Sequence, residues 1–326
     1  CVSDGRFTVD AVLAEIDRET NLSSVERMMY KYLIIPSFRE GVLAQKQKVA
    51  YWDKFPPNGP GRIDTFGPYA ALFFNLPPSD SAGAADFPAL WNQRPREGMN
   101  LHWDGNNDSV FERNYSASFG AGATPTSIDE PRLARVAEWV LDFGPPTFPA
   151  DKLDSKLAEQ GAPIYQKHCA SCHDWKGEYI GQVEPIDKIG TDRNRLDSFS
   201  ETLQKSMNTL GEGYRWKFSH FKKTNGYANT PLDGVWLKAP FLHNGSVPTL
   251  ADLLKPPSER PKTFRRGYDV YDWTNVGFVS DVAEENGREY SLFDTAAQGN
   301  GNGGHDFGTR LSAEEKRALI EYLKTL

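Results

Sequence analysis

Cys169-Ala-Ser-Cys172-His173 constrains this chain more than any other stretch. Two thiols three positions apart, followed at once by an imidazole, form the attachment sequence of c-type haem: the thiols add to the vinyl groups and the histidine binds the iron. The spacing is a demand of geometry, since two cysteines on one turn reach adjacent vinyls while the next side chain points under the ring. Two other readings use the same residues, a dithiol redox pair and half of a zinc site. A redox pair has no need of His173, and a zinc site asks for further cysteines or a paired-histidine motif that the chain lacks. Covalent haem is attached outside the bacterial cytoplasmic membrane, so an exported protein is expected, periplasmic or extracellular.

The flanks suit the haem reading. A c-type haem domain closes by crossing its first and last helices, and a small residue in the first lets an aromatic residue of the last come close. Gly161, Tyr165 and Tyr322 are placed for such a crossing, with ordinary amphipathic packing as the plainer reading, and Pro163 predicts a helix that starts or bends there. Iron has a second axial position, and its occupant separates electron transfer from ligand chemistry. His305, after the Gly-rich run Gln298 to Gly304, is the first candidate for that place, because flexible backbone can carry it over the ring. Met207, on a helix-like segment from Phe199 to Leu210, and His243, which can instead bond backbone or a propionate, are the fallbacks, with water or no ligand as the remaining alternative. Arg193 and Arg195 are candidate propionate partners, against the alternative of a solvated turn. Trp175 and Trp236 are either pocket wall or aromatic core.

Around this site the chain reads as two parts. Residues 1 to 150 form a helical, loop-rich module and 151 to 326 a c-type cytochrome domain, with the boundary at Gly144 to Pro149. Thr8 and Ser24 are expected to cap two helices, the second stopped by Pro36, and a third helix is predicted from Pro131 to Phe143. From Phe55 to Ala123 the sequence is rich in Pro, Gly, Asn and aromatic residues, too aromatic for disorder, so it reads as ordered loop. Ser312 and Glu315 open the last helix with a capping-box pattern, and Ala318, Leu319, Tyr322, Leu323 and Leu326 share a face. The fold class that follows is mainly α. A net charge of −7 excludes a general nucleic-acid binder, which needs a basic surface. No stretch approaches the roughly 18 apolar residues of a membrane span.

Beyond these residues a resemblance is visible. Lys238-Ala-Pro-Phe-Leu-His-Asn-Gly-Ser-Val-Pro-Thr-Leu-Ala-Asp-Leu-Leu254 resembles the stretch that follows the second haem motif in the bacterial di-haem cytochrome c peroxidase superfamily. Within it the nearer likeness is to the haem-containing rubber oxygenases and their cytochrome relatives. Gly226 to Trp236, Arg266 to Asp272, Gly304 to Thr309, Leu101 to Asn107 and Gly120 to Pro125 extend it over most of the chain. The resemblance implies two facing haem domains, one haem relaying an electron and the other, with an open face, meeting peroxide or dioxygen. It makes His173 the proximal ligand of the C-terminal haem, matches His305 to the family's distal histidine, and implies Ca2+ near the backbone of Lys238 to Pro240.

The departure from that family is a single CXXCH where it has two. The chain therefore reads as the C-terminal part of a longer di-haem oxidoreductase, its one covalent haem the electron relay, with an upstream haem domain or a redox protein as partner. As an enzyme it would be a haem-dependent peroxidase or dioxygenase needing that second haem. The alternatives are a plain mono-haem electron carrier and a structural, electron-wiring subunit of an envelope assembly. Cys1 itself reads as interior sequence of the longer protein, as a lipid-bearing anchor residue, or as a buried free thiol, and the residues after it show no export signal.

Overall fold

The computed structural model describes residues 7–77 and 79–326; Cys1 lies outside the described residues. The chain divides into two compact units, Cys1–Phe55 with Ala70–Pro78, and Pro56–Tyr69 with Ser79–Leu326. The boundary read from sequence at Gly144 to Pro149 is thus interior to the second unit. The reason is in the packing: Trp91 Nε1 donates to the Asp233 carbonyl at 2.8 Å, and Phe148 lies in the same core as Trp236, edge to face at 5.3 Å.

In the first unit, α1 (Val9–Thr20) is capped by Thr8, whose hydroxyl accepts from the Ala11 N–H at 3.1 Å. The next helix, α2 (Ser24–Met29), is capped one residue earlier than expected, by Ser23 in a reciprocal box with Glu26. Pro36 does not stop it. The helix widens to π geometry over Tyr30–Ile34, the Ile35 N–H reaching the Tyr30 carbonyl, and continues as α3 (Ile35–Lys48). Pro36 then falls in the first turn of α3, where its missing N–H costs least.

The second unit is helices and long loops, with strands among the described residues only as two-stranded antiparallel ladders. Within the stretch read as ordered loop, residues 101 to 107 are held by internal pairing: Leu101 N–H donates to the Asn107 carbonyl at 2.7 Å, and Asn106 and Asn107 are fully buried. Helices α4 (Val110–Gly120) and α5 (Glu130–Leu141) follow, the latter capped by Asp129 with Pro131 in its first turn. Helix α6 (Ser155–His168) runs through Pro163 without ending, and the single turn α7 (Ala170–His173) follows Cys169.

The terminal helix α8 (Ala313–Leu323) begins in the full Ser312–Glu315 capping box and packs along α6. Their crossing is at Gly161. A Cβ there would stand 2.0 Å from the Ala318 carbonyl oxygen, so only glycine admits this approach. One turn on, Tyr165 and Tyr322 meet with ring centres 5.1 Å apart. Tyr165, Ala170, Val247, Leu250, Leu254, Leu319 and Leu323 form the core on which the motif rests.

Candidate functional site: a histidine pair across an apolar cavity

The motif is held by its own backbone. Cys169 N–H donates to the Tyr165 carbonyl at 2.8 Å, closing α6, and His173 N–H donates to the Cys169 carbonyl at 3.0 Å, closing α7. Cys169, Cys172 and His173 thereby face one cavity of about 310 Å3, walled by Phe241, Leu250, Leu254, Leu319 and Leu323. Both cysteines are free thiols, and burial pushes Cys169 up to about 11, with Cys172 adding to the effect. A redox-active thiol needs the opposite shift. Among the described residues no group of three or more His, Cys, Asp or Glu can hold a metal ion, which leaves the zinc reading without its further donors.

The His173 ring is oriented from behind. Its Nδ1 lies 2.8 Å from the Thr230 carbonyl oxygen, which can only accept, so Nδ1 carries the proton and Nε2 keeps its lone pair for the cavity. Burial lowers its pKa against the raising effect of that bond, which favours the neutral ring, the form in which imidazole binds a metal.

His305 arrives from a loop that is clamped rather than loose. Its N–H donates to the Ile189 carbonyl at 2.8 Å, and its backbone is left-handed, with φ of 51°. Gly304, just before it, lies so close to Gly190 that a Cβ would stand 2.3 Å from the Gly190 carbonyl carbon. The buried Arg260 guanidinium donates through Nη1 to the carbonyls of Asn302 at 2.6 Å and Gly304 at 2.8 Å, and through Nη2 to that of His305 at 3.3 Å. Burial, then the nearby His173 and Arg260, push His305 down to about 3. Its Nδ1 is buried with no hydrogen-bond partner.

The two rings are 6.1 Å apart, centre to centre, and inclined by 42°. A metal ion bound ~2 Å from a nitrogen of each of two opposed imidazoles separates the ring centres by about 6 Å. The residues present therefore fit an iron held between them.

The other expected residues go elsewhere. Met207 is buried at the end of the helix Glu201–Met207 and does not line the cavity. His243 does line it, but its Nε2 is 3.0 Å from the Tyr227 hydroxyl, and the rings stack at 4.1 Å. Tyr227 gives its one proton to the Asp192 carbonyl at 2.6 Å, so His243 Nε2 is the donor to Tyr227 and has no lone pair for iron. Arg193 and Arg195, expected at propionates, line no part of the cavity: Arg193 is exposed and paired with Asp197 at 2.8 Å, and Arg195 is buried against Asp104 at 3.1 Å and over the Phe66 ring. Trp236 is core, and Trp175 lies under the Arg96 guanidinium at 5.1 Å. The Lys238 ammonium, beside the backbone expected to face Ca2+, has the Arg96 and Arg113 guanidinium groups and the Asp233 carboxylate among its charged neighbours. Thr230, Arg260 and Lys238, by contrast, are site residues for which sequence reasoning had no signal as such.

Residues 158–238 match the cytochrome c family, and residues 226–265 match the family described as RoxA-like, cytochrome c-like. Both matches lie in the C-terminal region and support a relationship to RoxA-like c-type cytochrome domains. Such a domain binds haem c covalently. Two relatives come from Sinorhizobium fredii (strain NBRC 101917 / NGR234). The uncharacterized protein y4iM is 31% identical over 287 residues, covering 75% of this chain and 65% of its own length. The uncharacterized protein y4iJ is 32% identical over 249 residues, 56% of this chain and 41% of its own length. The chain thus spans less than two thirds of either relative. No helix among the described residues is long and apolar enough to cross a membrane.

Proposed function

We propose that this mainly α chain is the electron-relay part of an exported, periplasmic or extracellular di-haem oxidoreductase, with haem c joined to Cys169 and Cys172 and its iron between His173 and His305. The observation that carries the reading is the pair of half-buried imidazoles 6.1 Å apart on the cavity beside the two free thiols. Haem, when bound, supplies one-electron chemistry at its iron. The chain's own part is positional. The Thr230 carbonyl fixes the tautomer and angle of His173 and raises its basicity. Arg260 and the Ile189 carbonyl hold the His305 backbone beside the cavity, so that His173 and His305 would hold the iron between them and leave peroxide or dioxygen no free position there. The apolar wall keeps water away, which limits the reorganisation that a change of charge demands. Bond-making chemistry then belongs to a second haem, on an upstream segment or on a partner protein.

The test is the intact mass and covalent haem count of the natural protein, with the spectrum of His305→Ala. Two haems and a larger mass support the di-haem reading. One haem on this chain alone moves the assignment to a plain electron carrier. His305→Ala should turn a low-spin spectrum into a mixed or high-spin one that shifts on adding cyanide, and an unchanged spectrum refutes the histidine pair.

A further inference from the structure

Beside Trp103, Thr230 and Lys238 the large cavity adjoins a side pocket, lined by those three residues and also by Arg96 and Arg113. Three basic side chains meet there over one carboxylate. Asp233 is taken by the Arg96 guanidinium and also accepts from Asn92 Nδ2 at 2.9 Å. The Arg113 guanidinium donates to the Ala89 carbonyl and, among the described residues, pairs with no carboxylate. Lys238 has no hydrogen-bond or ion-pair partner among the described residues. Burial and the neighbouring Arg96 push Arg113 down to about 10 and Lys238 down to about 7.

A buried charge is kept only where an opposite charge or a set of hydrogen bonds meets it. Among the described residues, the pocket therefore gathers more positive charge than its one carboxylate, Asp233, answers. The anion that haem brings is the carboxylate of its propionates, and the two arginines favoured from sequence for that work are engaged by Asp197 and Asp104.

We propose that Lys238, with Arg113 and Arg96 behind it, forms a carboxylate site that takes a propionate of the haem bound at His173. The proposal rests on the haem reading above. Lys238 lines both cavities and is the residue placed to touch the group; the guanidinium groups offer paired N–H donors suited to a carboxylate. Arg96 is already braced, through Nε to the Asn92 carbonyl at 3.2 Å and by its stacking on Trp175. A small carboxylate from solution offers the same chemistry, and the test separates the two sources.

In the holoprotein, Lys238→Met and Arg113→Met should each lower the midpoint potential, because a positive charge beside the haem favours the ferrous state. Both should also move the propionate bending band of the resonance Raman spectrum. Lys238→Arg should restore potential and band, and Arg193→Met should leave both where they are. Acetate should not raise the melting temperature of the wild-type holoprotein, since the site is filled from within. Potential and band unmoved in Lys238→Met and Arg113→Met, at wild-type haem content, overturn this proposal alone. Acetate stabilisation present in the wild type and absent in Lys238→Met overturns it in favour of a free carboxylate. A wild type without covalent haem overturns the haem reading and this proposal with it.

Discussion

Gly161→Ala isolates the contact on which the haem domain closes. In an exposed helix the change stabilises by about 1 kcal/mol, because alanine loses less conformational freedom. Here the added Cβ would stand 2.0 Å from the Ala318 oxygen, 2.6 Å from the Ala318 carbonyl carbon and 2.8 Å from Tyr322 Cβ. Real Cβ atoms keep beyond 3.0 Å, so α6 and α8 must part by about 1 Å. Two of the three atoms are backbone, so no rotamer change relieves the clash. Overpacking costs roughly 1–3 kcal/mol where side chains can adjust, and a backbone clash belongs at the top of that range. Subtracting the propensity gain leaves a net loss of about 2 kcal/mol, or roughly 4–8 °C in melting temperature for a unit of this size.

Thermal unfolding followed by far-UV dichroism and by the haem Soret band reads this directly. Gly120→Ala is the control: it ends α4, and its Cβ would make ordinary contact with the Tyr69 ring at 3.8 Å, so its stability should be unchanged or slightly raised. A Gly161→Ala protein that melts at or above the wild-type temperature would refute the close crossing.

Three other outcomes are expected. Arg260→Met removes the donor that gathers the carbonyls of Asn302, Gly304 and His305, so imidazole or cyanide should displace His305 more readily, and an unchanged ligand affinity would remove Arg260 from the site. Gly304→Ala meets both a φ of 72° and the Gly190 backbone, so it should raise the high-spin fraction at constant haem content; a wild-type spectrum would count against it. His220 has its pKa raised above 6.5 chiefly by its hydrogen bond to Asp108, so its stabilisation is fully present below the unfolded pKa and lost as pH rises through the folded one. The stability difference between wild type and His220→Gln should therefore be largest below pH 6.5 and fade above the raised value, small throughout because the side chain is half exposed; a pH-independent difference contradicts the pairing.

The comparison of sequence with structure divides by range. Elements set by neighbours in the chain were legible: the turn that presents Cys169, Cys172 and His173, the Ser312–Glu315 box, the Thr8 cap and the glycine on α6. Each depends on spacings of three or four residues, which backbone geometry imposes wherever they occur. Pro36 shows the limit of that reasoning, since a π-helical segment absorbs a residue that local rules treat as a stop.

Charge partners were not legible, because a guanidinium or carboxylate records nothing of what will stand opposite it. Arg193 and Arg195 looked available and were engaged by Asp197 and Asp104; Lys238 and Arg113 looked ordinary and were left half-buried with no paired carboxylate among the described residues. The carbonyl that orients His173 comes 57 positions later, and the arginine that holds His305 comes 45 positions earlier. The amino-acid sequence by itself determined the chemistry at Cys169 to His173, since covalent attachment needs only local spacing. The glycine-rich loop marked His305 as the second imidazole, and only the tertiary structure decided how it is set against the first, because the loop is pinned between Ile189 and Arg260 by long-range contacts.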